Sequence, residues 1–267
     1  MGEIISVHSF RGGTGKSNLT ANVATIVAMK GFRVGIVDTD VQSPGIHVLF
    51  GFNENNLKLA LNDYLWGRAS IEETAYAIHE TAALEPERAF LRNLKMWLVP
   101  SSIRTNEIAR VLREGYDVGL LNEGFHALVK KLDLDYLFID THPGLNEETL
   151  LSIAVSNTLV IILRPDQQDF QGTAVTVDVA RKLEVPRLRL VVNKALSRFD
   201  LEKMKADVSA TYNATVSGVL TLSEDVVSNA SNNIFCALFP DHPWSQSIRA
   251  IADDLIAKAQ PRRQETL

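Results

Sequence analysis

Short, nearly continuous apolar runs recur along the chain, at 3–10, 33–40, 94–100, 135–144, 157–165, 187–194 and 215–220. Each has the length of a strand, and the absence of polar alternation marks strands covered on both faces. Between them the apolar positions change to helical spacing, first from Lys16 to a stop at Gly31, then at 57–65, 103–113, 117–132, 146–155, 168–183, 200–211 and 245–259. Strand alternating with helix predicts an α/β fold, a doubly wound and mainly parallel sheet with helices on both faces. No repeat, low-complexity tract or linker rich in Pro, Gly or Ser interrupts this order. A single domain over 1–260 with a frayed tail at 261–267 is expected.

In sheets of this kind ligands sit beyond the carboxyl ends of the strands. The polar exceptions to the apolar pattern fall there: the loop at 10–17, Asp38 and Asp40, the stretch 140–144, and Asn193 with Lys194. The first loop reads Phe10-Arg11-Gly12-Gly13-Thr14-Gly15-Lys16-Ser17. It ends as a phosphate-binding loop should, on Gly-Lys-Ser, but carries Phe10 where the usual pattern has its first glycine. Gly12, Gly13 and Gly15 let the backbone turn its N–H groups inward, and the following helix adds its positive dipole end. Lys16 can reach the outer phosphates and the Ser17 hydroxyl suits Mg²⁺. Thr14 and Asn18 belong to the same nucleotide cradle.

Asp140 closes the apolar run Tyr136-Leu137-Phe138-Ile139, the way an acid is presented to a magnesium ion through water. Asp38 and Asp40 are two apart and would point to opposite faces of a strand, but Ser43-Pro44-Gly45 is turn chemistry, so the strand ends between them. One carboxylate can then help hold the metal's water shell while the other orients an attacking water. Asn193 ends another apolar run, where its amide could both donate to and accept from a purine edge.

Composition narrows the picture. The chain has 267 residues, 46% hydrophobic and 22% charged, which describes an ordinary globule able to bury a large core. A net charge of −5 gives no whole-molecule attraction to nucleic acid or anionic lipid. There is one cysteine, Cys236, inside an apolar run, so neither an intrachain disulfide nor an all-cysteine cluster site can be built from one chain. No basic leader precedes an apolar stretch, and nowhere do about 18 apolar residues run together, so a cytoplasmic protein is expected.

Taken together, Arg11-Gly12-Gly13-Thr14-Gly15-Lys16-Ser17, the segment from Val37 through Asp38 and Asp40 to Gly45, and Phe138-Ile139-Asp140-Thr141-His142-Pro143-Gly144 resemble the deviant Walker A ATPases of the MinD/ParA family. The resemblance extends from residue 3 to about 255. Phe10 is no anomaly within it. It implies binding of ATP or ADP with Mg²⁺, a face-to-face homodimer, slow hydrolysis stimulated by a protein partner, and a role in positioning a cellular assembly. It assigns Lys16 to the phosphates, Ser17, Asp38 and Asp140 to the metal, Asp40 to hydrolysis, and Asn193 to the base. The family's signature lysine, which reaches the other subunit's nucleotide, is Arg11 here, and arginine grips phosphate in a forked geometry that lysine cannot reproduce. His142 and Thr221 stand where the family often has proline.

Within the resemblance other branches fit less well. Iron–sulfur carriers need paired cysteines. The last helical segment has adjacent Asp253 and Asp254 and lacks the basic amphipathic face of a membrane anchor, so membrane binding is not expected. Non-specific DNA binding would draw on the cations between 181 and 205, namely Arg181, Lys182, Arg187, Arg189, Lys194, Arg198, Lys203 and Lys205. Two further readings stay open: a nucleotide-sensing module with little or no turnover, and an ATP-coupled biosynthetic enzyme.

Overall fold

A computed structural model describes residues 2–82 and 86–257. Eight strands, β1 (Glu3–His8), β2 (Val34–Asp38), β3 (Tyr76–Ala77), β4 (Met96–Val99), β5 (Tyr136–Asp140), β6 (Thr158–Leu163), β7 (Arg187–Ala195) and β8 (Thr215–Thr221), form one sheet in the order β3-β4-β2-β5-β1-β6-β7-β8. All pairings are parallel except that of the edge strand β3 with β4. Helices of eight residues or more are α1 (Lys16–Met29), α2 (Thr105–Glu114), α3 (Gly119–Lys131), α4 (Glu147–Ala154), α5 (Gln167–Lys182), α6 (Leu201–Tyr212) and α7 (Pro243–Ile256).

Period-two burial explains why the strands read as continuous apolar runs. Ile5 and Val7 of β1, Tyr136 and Phe138 of β5, and Val160 and Ile162 of β6 face α1 and α7. Their neighbours Ile4, Leu137 and Ile139 face α3, while Leu159, Ile161 and Leu163 face α5 and α6. Both sides of the central strands are therefore core, and each such Ile, Leu or Phe side chain contributes about 1.5–3 kcal/mol by leaving water. Helix α1 is buried almost throughout from Leu19 to Ala28, which accounts for its lack of a polar face.

The expected helix at 57–65 forms only over Leu61–Leu65. The preceding residues stay extended because the N–H groups of Lys58 and Leu59 both donate to the Tyr76 hydroxyl at 2.8 Å, and that hydroxyl donates to the Leu59 carbonyl at 2.9 Å. Short helices at Ile46–Leu49, Ile78–Ala82, Glu224–Ser228 and Phe235–Leu238 were not legible in the pattern, being too brief for periodicity to register. Strand β2 does end at Asp38, leaving Asp40 in the following loop. Among the described residues no helix is long and apolar enough to cross a membrane. The tail at 261–267 lies outside the described residues.

Candidate functional site

The carboxyl ends of β1, β2, β5 and β7 meet at one edge. Leaving β1, the chain turns through Gly13 (φ +76°) and Gly15 (φ +95°) into α1. At Gly15 the requirement is also steric, since a Cβ would sit 2.6 Å from Asn193 Nδ2. The loop's carbonyls are held by β7: Asn193 Nδ2 donates to Thr14 O and Lys194 Nζ to Gly13 O, each at 2.8 Å. Gly12 and Gly13 form a hydrogen-bonded turn, and the backbone N–H groups of Gly15, Lys16 and Ser17 donate to no other protein group among the described residues. Thr14 Oγ1 is buried without a partner as well.

Asp38 and Asp140 are paired in register on adjacent strands, which brings two buried carboxyls side by side. Asp140 Oδ1 accepts from Lys16 Nζ at 2.8 Å and from Thr20 Oγ1 at 3.1 Å, while its Oδ2 has no partner. Asp38 accepts the N–H of Asp40 at 3.0 Å and of Gly45 at 3.3 Å. Burial, and then the neighbouring Asp140 charge, push the Asp38 carboxyl well above the usual carboxylate range, with Lys16 opposing them. Two groups here escaped the sequence reading. Thr20 lies one turn beyond Lys16 on the same face of α1, a spacing that could have exposed it. His8, fully buried at the end of β1, places Nδ1 2.9 Å from Thr141 Oγ1 and leaves Nε2 without a partner. Burial, followed by the charges of Lys16 and His142, lowers its pKa to about 3, so it remains neutral.

In the loop beyond β2, Asp40 Oδ1 accepts both the N–H and the hydroxyl of Ser43 at 3.0 Å, and His142 Nε2 lies 3.8 Å from the same oxygen. Arg11 stays at the rim. Its Nη1 is 3.7 Å from Asp169 Oδ1 and 3.9 Å from Asp166 Oδ1, with the side chain 42% exposed. Asp169 is already gripped by Arg164 through its N–H, Nε and Nη2 at 2.9, 2.9 and 3.0 Å, so Arg11 is a loose outer partner.

Beside Gly15 opens a pocket of about 230 Å³ lined by Asn18, Asn193, Thr221, Val226 and Trp244 among others. Four of the eight cations of 181–205 are engaged by the chain itself. Arg181 donates to the Tyr212 carbonyl, Arg187 to Thr158 and to the Leu255 carbonyl, Arg189 to Asp254, and Lys194 to the loop. Cys236 is buried, its thiol donating to the Asn22 carbonyl and pushed by burial up to about 12.

A family model described as ParA: NUBPL iron-transfer P-loop NTPase matches residues 1–256. An uncharacterised ATP-binding protein of Methanocaldococcus jannaschii is 24% identical over 253 residues, spanning 94% of this chain and 87% of its own. The septum site-determining protein MinD of Bacillus subtilis is 23% identical over 269 residues, spanning 98% and 91%. Among solved structures, MinD of Pyrococcus horikoshii, complexed with Mg-ADP, superposes with a TM-score of 0.78 at 19% identity, covering 96% of each chain. The fold is thus shared over nearly the whole length.

Proposed function

Because the chain belongs to the ParA family of P-loop NTPases, we propose that it is a dimerisation switch of the MinD/ParA type that binds and slowly hydrolyses ATP to position or regulate a cellular assembly. The observation that carries the nucleotide reading is the row of N–H groups from Gly15 to Ser17 with no protein acceptor among the described residues, set at the start of a fourteen-residue helix. Backbone donors are seldom left unmet, and at a helix N-terminus they suit an anion. Gly12 points the same way: it has neither a positive φ nor a crowded Cβ position, only Pro143 Cγ at 4.0 Å, so no contact within the chain demands glycine there. A phosphate lying against the loop would.

The base follows from the pocket. With Asn193 Nδ2 committed to Thr14 O, the amide offers a base its oxygen, an acceptor that suits the adenine amino group and opposes a guanine carbonyl. Mg²⁺, held by Ser17 and by waters on Asp38 and Asp140, would neutralise phosphate charge. The donor set fits it, since Asp140 Oδ2 is a buried oxygen with no partner and the buried Asp38 carboxyl lies beside it. Lys16, which now holds Asp140, is the group that would turn to the phosphates. Asp40 orients the attacking water. The water oxygen bonds to the terminal phosphorus, the bond from that phosphorus to ADP breaks, and the water's protons pass to the phosphate product and solvent.

Arg11, exposed and loosely held, can leave Asp166 and Asp169 at small cost. This supports its reaching a second copy's nucleotide and completing the site in trans. An iron-transfer role finds no thiol to serve it, because the single cysteine is buried and protonated. The test is Asp40→Ala with ATP and Mg²⁺, followed by light scattering and phosphate release. Dimers should accumulate while phosphate release falls at least about tenfold. A wild-type chain that stays monomeric in saturating ATP with Mg²⁺ would sink the switch. Binding without turnover by the wild type would mark a nucleotide-sensing module instead.

A further inference from the structure

Asp40 is contacted from two sides. Ser43 supplies two donors to Oδ1 at 3.0 Å, and His142 brings Nε2 to 3.8 Å from that same oxygen, with side-chain exposures of 21% for the histidine and 10% for the aspartate. Among the described residues no protein donor reaches Asp40 Oδ2.

Which nitrogen of His142 carries the proton is decided by Asn146. Its Oδ1 accepts the Thr149 N–H at 2.9 Å as the N-cap of α4, so the orientation of the amide is fixed by the helix. The group it turns to His142 is therefore Nδ2, a donor, 3.4 Å from the ring Nδ1. A donor opposite Nδ1 requires a lone pair there, which places the ring proton on Nε2, facing Asp40. At 3.8 Å this contact is longer than a hydrogen bond. Catalytic hydrogen bonds are often long in ligand-free sites and shorten when the complex forms.

We infer that His142 is a positioning residue for Asp40: its Nε2–H joins Ser43 in holding Oδ1, and Oδ2 is thereby left to the attacking water. The inference rests on the hydrolytic reading above. His142 keeps its proton throughout and acts only through the carboxylate.

Two measurements test it. In steady-state turnover, His142→Ala should lower kcat about tenfold, the effect of losing one hydrogen bond to a charged group, with the KM for ATP unchanged. His142→Gln, whose side-chain amide offers a donor at similar reach, should restore most of the rate. In ¹⁵N–¹H spectra of the nucleotide-free, histidine-labelled wild-type chain, the His142 ring should show the Nε2–H tautomer, and Asp40→Asn should shift its Nε2 resonance. Wild-type turnover by His142→Ala, equal losses in both variants, or an Nδ1–H ring would each overturn the inference. Failure of the functional reading looks different: the wild type itself would release no phosphate, which would remove the catalytic half of the inference, while the spectra would still decide the hydrogen bond.

Discussion

Two polar regions of this molecule, the sheet edge around the loop at 10–17 and the cation-rich stretch at 181–205, looked alike as concentrations of charge and differ in how that charge is used. On the stretch, Arg181, Arg187 and Arg189 reach carbonyls, a hydroxyl or a carboxylate of the chain, and Arg198 lies over the Phe199 ring with its guanidinium 5.6 Å from the centroid. At the edge, polar capacity is left over: Asp140 Oδ2, Thr14 Oγ1 and His8 Nε2 are buried and unpartnered. Among the described residues nine buried side-chain polar atoms lack a partner, and three of the nine gather around this one loop, where a ligand would supply what the chain does not. Unmet hydrogen bonding, more than charge density, separates a binding site from a structural ion-pair surface. The same contrast weakens the case for DNA on this stretch, since several of the cations needed are already bound to the protein.

The sharpest way to break this contrast is at Lys16. Lys16→Ala removes the cation that binds Asp140 from the end of the loop, and ATP affinity should fall by about 100-fold or more, two charge-assisted contacts being lost together. Titration with a fluorescent ATP analogue measures it, and an unchanged affinity would mean that the open N–H groups do not form the site.

His8 gives a middle-sized effect that reads the unpartnered edge through stability. The folded chain protonates His8 only near pH 3, whereas the unfolded chain does so near 6.5. Between these values the unfolded state holds more protons, so this group's contribution to stability is complete above the window and is lost as pH falls through it. His8→Gln should therefore show a shallower fall in Tm than the wild type between about pH 6.5 and 4, where the two states differ in protonation. Parallel curves would place the histidine in a wetter setting than the structure does.

The smallest effect belongs to the other region. Arg189 binds Asp254 at 2.8 Å with the two side chains 20% and 32% exposed. Arg189→Ala should cost under about 1 kcal/mol in urea unfolding and leave ATP affinity where it was. A loss of nucleotide binding would show that the two regions are coupled after all.

How much of the site was legible depended on sequence distance. Lys16 and Ser17 follow from a local motif, and Asp38 and Asp140 from apolar runs that end in an acid, because strand ends in such sheets share an edge. Thr20 was within reach of helical spacing. His8 was not, since a histidine closing an apolar run shows nothing of its burial or of its contact with Thr141, 133 residues away. Nor was the commitment of Asn193 to Thr14 across 179 residues, which fixes the face the amide offers a base. The shortened helix at Leu61–Leu65 was hidden by a nearer partner, the Tyr76 hydroxyl on β3, 17 residues from Leu59, competing with helical hydrogen bonds.

From residue order alone came the alternation of strand and helix, the loop's glycines and the set of residues at the strand ends, because these rest on local periodicity and backbone preference. Tertiary structure decided which of those groups are already satisfied and which are left open. It kept His8 neutral, raised the pKa of Asp38, gave Asp40 its neighbours, and held Arg11 loosely at the rim. Those properties depend on burial and on partners brought together by packing, and no stretch of contiguous sequence contains that information.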